Sequence, residues 1–144
     1  METREILDKV KNGEISVEDA EAFFKKQPYE ELGYAKIDSH REIRSGFPEV
    51  IYCAGKPDEY LVSIYQRMYQ ENGVVFGTRA SEHQYEIVKE VIPEIIYDKM
   101  SGILKTESLN KTLEGLVAVC TAGTSDIPIA EEAAQTAEYF GTKV

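Results

Sequence analysis

Hydrophobic and polar positions alternate along the chain in three successive rhythms. From residue 3 to 26 the apolar residues fall at helical spacing. Ile6, Leu7 and Val10 make one short stripe that ends at Asn12-Gly13, and Val17, Ala20, Phe23 and Phe24 make a second. Ser16 stands where a helix N-cap belongs, with Asp19 three residues on as its capping-box partner. The pattern predicts a helical hairpin over 3–26. A unit this small has too little surface to bury both helix faces by itself, so it is expected to serve as a packing or assembly arm.

Gln27-Pro28 interrupts the pattern, and residues 29–48 are less periodic and more charged. Ser39 predicts a short helix running to Arg44, closed by Gly46 and Pro48. Beyond it, strands and helices alternate. Strands are predicted at 49–53 and 74–78, with a helix from Pro57 to Glu71 between them that turns Leu61, Ile64, Tyr65 and Met68 inward. Asn72-Gly73 closes that helix. Ser81 and Gln84 form a capping box for another, which carries Tyr85, Val88, Val91 and Ile92. Short strands follow at 94–98 and 102–106, joined by a turn at Lys99-Met-Ser. Residues 107–115 read as a polar linker, and an apolar strand is predicted at 116–121 before a terminal helix at 127–140. Strands separated by helices favour a parallel sheet. The fold class is therefore α/β: a helical hairpin and a small βαβ domain over 1–110, with a new strand and helix beginning a second domain at 111–144.

Composition narrows the functions open to such a chain. Its 144 residues suit one ordinary domain, or a small domain with part of another, and 42% hydrophobic residues with nine Tyr and five Phe suffice for a core. Sixteen basic against 26 acidic residues give a net charge of −10. That excess argues against binding of the nucleic-acid backbone, which depends on neutralising phosphates, and leaves a small anionic ligand open. Cys53 and Cys120, each inside an apolar run, are expected to be buried thiols. Their spacing fits neither a disulfide framework nor a zinc site, and the two histidines lie too far apart to signal a metal. The absence of a signal-like apolar start and of any long apolar run makes the cytoplasm the expected compartment.

The strongest candidate for chemistry is the corner Gly123-Thr-Ser-Asp126. A glycine lets the backbone approach a ligand, Thr124 and Ser125 offer hydroxyls, and Asp126 is placed as N-cap before Pro128. A strand end meeting a helix start makes an anion site. Asp126 itself would repel a phosphate, so a ribose hydroxyl suits it better, with Ser125 and backbone N–H groups nearer the phosphate. The plainer alternative is that Ser125 and Asp126 only cap the helix. Gly-Lys-Ser/Thr and the six-residue glycine fingerprint are both absent.

A second candidate is Ser39-His-Arg-Glu-Ile-Arg, where His40, Arg41 and Arg44 gather positive charge in an acidic chain. Arg41 and Arg44, three apart, would share a helix face and could hold a phosphate or carboxylate. Alternatively they pair with Asp38, Glu42 or Glu49. His83 reads as a surface residue, and Gly77-Thr-Arg79 as a weaker strand-end contact.

Thr121-Ala-Gly-Thr-Ser-Asp-Ile-Pro-Ile-Ala-Glu-Glu-Ala resembles the opening of the PurE-like catalytic domain of the aminoimidazole-ribonucleotide carboxylase/mutase family. The run from Leu32-Gly-Tyr-Ala-Lys-Ile-Asp-Ser-His to Gly46-Phe-Pro-Glu-Val-Ile-Tyr resembles the N-terminal region of a PurE-related branch, LarB. The resemblance implies that 111–144 open a PurE-like, flavodoxin-like domain. It also implies a carboxylase/hydrolase of nickel-pincer nucleotide biosynthesis, which carboxylates the pyridinium ring of nicotinic acid adenine dinucleotide and cleaves its phosphoanhydride to release AMP.

Bicarbonate or CO2 would be the co-substrate, with no tightly bound cofactor, Mg2+ as an optional ion, and a homo-oligomeric assembly. In the PurE pattern Gly-Ser-x-Ser-Asp, the final Ser-Asp falls on Ser125 and Asp126, while the first serine falls on Gly123, a departure at one phosphate contact. The cysteine that the branch uses against the ring would lie downstream of Val144. This chain is therefore expected to be an N-terminal piece, inactive by itself. Two alternatives stay open at this point: a purine-pathway mutase, and a non-catalytic nucleotide-binding or regulatory module.

Overall fold

A computed structural model describes residues 3–25, 30–31, 36–37, 48–107 and 112–144. They group into two compact units, 1–49 and 50–144.

The first unit contains the expected hairpin, α1 (Thr3–Lys11) and α2 (Val17–Lys25). The Ser16 hydroxyl accepts from the Asp19 N–H at 2.9 Å and donates to the Asp19 carboxylate at 2.6 Å, which fixes the start of α2. Ile6 and Ala20 are buried. A two-stranded antiparallel ribbon follows, β1 (Glu30–Glu31) with β2 (Lys36–Ile37), in a stretch whose weak periodicity predicted no strand. The short helix expected at 39–44, with His40, Arg41 and Arg44, lies outside the described residues.

In the second unit β3 (Ile51–Tyr52), α3 (Asp58–Asn72) and β4 (Phe76–Thr78) form the expected βαβ element, with β3 parallel to β4. Leu61, Ile64, Tyr65 and Met68 are the buried residues of α3, and Gly73, at φ 69°, closes the helix through its N–H to the Tyr69 carbonyl. Helix α4 (Glu82–Lys89) begins at the predicted capping box. Ser81 Oγ accepts from the Gln84 N–H at 3.2 Å, and Gln84 Oε1 accepts from the Ser81 N–H at 3.0 Å. Ser81→Ala removes one half of this arrangement and is expected to cost about 1 kcal/mol. Urea denaturation measures it, and an unchanged midpoint would mean that the Gln84 side chain suffices.

The sheet order is β3-β4-β6-β5, with β5 (Ile96–Asp98) and β6 (Ile103–Lys105) forming the predicted hairpin. Here the expectation of a parallel sheet is corrected. Only β3 and β4 are parallel; β6 inserts antiparallel between β4 and β5. The connection between β5 and β6 spans residues 99–102, far too short for a parallel crossover. Asp98 shapes that turn, accepting from the N–H groups of Met100 and Ser101 at 2.8 and 2.9 Å.

Both faces of the sheet are covered, because alternate residues point to opposite sides. Gly77, paired with Leu104, faces α3, whose Tyr65 hydroxyl donates to the Leu104 carbonyl at 3.0 Å. Phe76 and Ile103 face the other way and form a cluster with Tyr139 of the terminal helix α5 (Ile127–Tyr139). Among the described residues no helix is long and apolar enough to cross a membrane.

Candidate functional site

The terminal segment departs most from its expected form. Only β7 (Glu114–Leu116) is a strand, paired in parallel with β8 (Thr142–Lys143). Residues 117–121 belong to no strand; Leu116 is 80% exposed and Val117 43%. The apolar run 116–121 is thus not a buried strand. Cys120 is exposed, in contrast to the expected buried thiol, while Cys53 is buried as expected. A strand covered on both faces needs packing partners there, and β8 supplies hydrogen bonds along one edge only.

The corner itself is one 3₁₀ turn, Thr124–Asp126, running straight into α5. The Asp126 N–H donates to the Gly123 carbonyl at 3.1 Å, the Thr121 hydroxyl reaches the same carbonyl at 3.5 Å, and the Ser125 hydroxyl lies 3.5 Å from the Asp126 carboxylate. Gly123 is half-buried, and Thr124, Ser125 and Asp126 are exposed. Asp126 does not act as the expected N-cap: its backbone is already helical, at φ −91° and ψ −9°, and its side chain makes no capping hydrogen bond. A cap receives the N2 or N3 N–H from an extended backbone, which this 3₁₀ entry does not provide. The carboxylate consequently stands at the first turn beside the Ser125 hydroxyl, while the leading N–H groups are engaged within the turn: Asp126 donates to the Gly123 carbonyl, Ile127 donates to the Thr124 carbonyl, and Pro128 has no N–H. The carboxylate can accept from a sugar hydroxyl, and the exposed Thr124 and Ser125 hydroxyls can donate to an anionic oxygen.

Helix α5 carries a row of small residues, Ala130, Ala133, Ala134 and Ala137, but is not seated by it. Ala133 is exposed, and Ala130, Ala134 and Ala137 are only half-buried. The docking stripe is Glu132, Gln135 and Tyr139. Glu132 pairs with Arg79 Nε at 2.7 Å, Gln135 Nε2 donates to Asp98 at 2.9 Å, and the Tyr139 ring lies 4.5 Å from that of Phe76. Hydrogen bonding, led by the Ser101 N–H and aided by Gln135, holds the Asp98 carboxyl below its usual range against the opposing effect of burial. Arg79, in the weakly predicted Gly77-Thr-Arg79 contact, adopts the left-handed conformation at φ 56° that few non-glycine residues take. Gly77 is packed inside, and a ligand has no access to it.

For two further residues the structure adds the partners. Cys53 Sγ lies 3.3 Å from Tyr65 Oη, and burial raises both the thiol and the phenol above their ordinary pKa values. A thiol held protonated is a poor nucleophile, so Cys53 belongs to the core. His83 is exposed, as expected, and its Nε2 is 2.7 Å from Asp58, joining the first turns of α3 and α4. Among the described residues no cluster of three or more His, Cys, Asp or Glu side chains could hold a metal ion.

Comparison with known proteins decides the family. Residues 29–108 match the model of the LarB/PurE-like N-terminal domain. The chain belongs to the LarB/PurE-like family. It is also 33% identical over 148 residues to an uncharacterized protein of Methanocaldococcus jannaschii. That alignment covers 97% of this chain and 58% of the relative, so the LarB/PurE-like chain spans little more than half the relative's length. The matched region ends before the corner at 123–126, which lies in the part aligned with the archaeal relative.

Proposed function

We propose that this chain is the N-terminal part of a PurE-related carboxylase acting on nicotinic acid adenine dinucleotide. Carboxylation of the pyridinium ring is coupled to hydrolysis of the phosphoanhydride, with AMP released. Bicarbonate or CO2 is the carbon source and Mg2+ an optional ion, and a cytoplasmic setting suits a soluble dinucleotide substrate. Residues 111–144 open the PurE-like, flavodoxin-like domain, and Gly123, Thr124, Ser125 and Asp126 begin its nucleotide site. Membership of the LarB/PurE-like family supports this reading. The observation that carries it is the Asp126 carboxylate, free of any capping bond and set beside the Ser125 hydroxyl.

In this role Asp126 accepts from a ribose hydroxyl, while the Ser125 hydroxyl faces a phosphate. His40, Arg41 and Arg44, outside the described residues, stay a separate candidate for binding an anion. The proposed ring nucleophile, as the family resemblance implies, is a cysteine of the full-length protein outside these 144 residues; Cys53 does not suit the role, because burial raises its thiol pKa.

The test uses full-length protein with nicotinic acid adenine dinucleotide and bicarbonate, read by mass spectrometry. A dicarboxylated pyridinium mononucleotide and AMP are expected. Turnover of aminoimidazole ribonucleotide instead would assign the purine reaction, and nucleotide binding with no turnover would assign a binding module. Asp126→Ala should weaken dinucleotide binding about tenfold or more, as expected for loss of a hydrogen bond to a charged group. Its stability should stay within about 0.5 kcal/mol, because no capping bond is lost. Unchanged affinity would remove Asp126 from the site.

A further inference from the structure

The N-terminal hairpin carries an apolar face that its own two helices leave open. Leu7 is 55% exposed, Val17 65% and Phe24 38%. Together with Val10, Ala20 and Glu21 they line an open groove of about 300 Å³. Each helix has only nine residues, below the length at which an isolated helix holds together in water.

The charges beside this face are weighted differently on the two helices, Arg4 and Lys11 against Asp8 on α1 and Glu18 and Glu21 against Lys25 on α2. At roughly 100° per residue, Lys11 and Arg4 lie to one side of Leu7 on α1, with Asp8 further round. The same construction on α2 puts Glu21 and Glu18 beside Val17. Ile6 and Ala20, on the opposite flank of each stripe, are the buried residues. The basic pair therefore marks the outer edge of α1, and the acidic pair the outer edge of α2. All four flanking side chains are exposed.

We propose that the occupant of this groove is the hairpin of a second copy of the chain. A two-fold axis parallel to the helices lays α1 of one copy across α2 of its partner. Each contact then sets Arg4 and Lys11 against Glu18 and Glu21, twice over, which is the self-complementarity that an isologous interface requires. Adjacent helices run antiparallel across the interface, which suits their dipoles. The other face-to-face axis stacks α1 on α1 and α2 on α2, opposing like charges at both edges, and is disfavoured. The inference rests on the hairpin alone and stands or falls separately from the proposed carboxylase chemistry.

Cysteine cross-linking distinguishes the arrangements in a Cys120→Ser background, where the buried Cys53 is shielded. Leu7→Cys protein mixed with Val17→Cys protein is expected to give mainly the mixed disulfide, with little of either homodisulfide. Arg4→Glu with Lys11→Glu, introduced into the Leu7→Cys protein, should lower that yield about tenfold. Glu18→Lys with Glu21→Lys in the Val17→Cys partner should restore it. Restoration by the second reversal also shows that the variants fold. A predominance of homodisulfides would overturn the proposed axis. Failure to cross-link, with Leu7→Cys and Val17→Cys protected from maleimide in a monomer, would show that the chain covers its own groove and would overturn the proposal.

Discussion

Gly77→Ala is expected to destabilise the 50–144 unit by about 3 kcal/mol, the upper end of the range for overpacking a core. A Cβ at this position would overlap Tyr65 Oη and come within 2.9 Å of Cys53 Sγ. Neither obstacle can swing into solvent, since both side chains are fully buried. Moving the Tyr65 hydroxyl would also break its bond to the Leu104 carbonyl, at about 1–3 kcal/mol for a buried polar group left without a partner. Gly55→Ala is the control. It places a Cβ in open space at φ +74°, where only the left-handed backbone resists, at about 1–2 kcal/mol. Urea denaturation of both variants tests the difference. Tyr65→Phe added to Gly77→Ala removes the overlapping atom and should recover part of the loss. Equal losses for Gly55→Ala and Gly77→Ala would mean that the core yields, and that the close approach of α3 to β4 is not a constraint.

Tyr139→Ala is expected to cost about 3 kcal/mol, by analogy with other buried aromatic truncations, and to release the terminal helix. Tyr139 is the one buried residue of α5. Its ring packs on Phe76, and its hydroxyl lies 3.5 Å from the Val75 carbonyl. The remaining anchors are the half-buried Phe140 ring, 5.4 Å from that of Phe76, and two part-exposed polar contacts, Arg79 with Glu132 and Asp98 with Gln135. An exposed ion pair contributes about 0–1 kcal/mol, so these contacts orient the helix more than they hold it. Hydrogen exchange gives the decisive reading. Amides of 124–143 should lose protection in Tyr139→Ala while those of α3 and α4 keep theirs. Uniform acceleration from 51 to 143 would show that α5 is an inseparable part of the unit. Glu132→Gln should leave protection close to that of the parent.

The two variants separate structure that local pattern encodes from structure that packing imposes. The apolar spacing Leu61, Ile64, Tyr65 and Met68 and the Ser81–Gln84 box were legible because helix period and capping depend on residues three or four apart. The β5–β6 hairpin was legible from a connection too short for any other path. The corner at 123–126 could be read as a ligand-binding pattern, and its resemblance to the PurE-like family agrees with the family that the comparison shows.

Long-range competition decided the rest. The alanine stripe of α5 reads as the buried face by hydropathy, yet the helix docks through Glu132, Gln135 and Tyr139. Two aromatic rings on Phe76, those of Tyr139 and Phe140, with two polar contacts beside them, outweigh a row of methyl groups. The run 116–121 is apolar enough for a buried strand, but hydropathy states what a segment can bury and never what is present to cover it. Asp126 fits a capping residue by type and position. Whether it caps depends on the backbone angle at which the chain enters the helix, and a 3₁₀ entry leaves its carboxylate free. The sequence alone thus determined the fold class, the hairpin and the βαβ element. Tertiary structure decided the sheet's strand directions, the seat of α5 and the state of Asp126, because each depends on residues distant in sequence or on backbone geometry that no local pattern encodes.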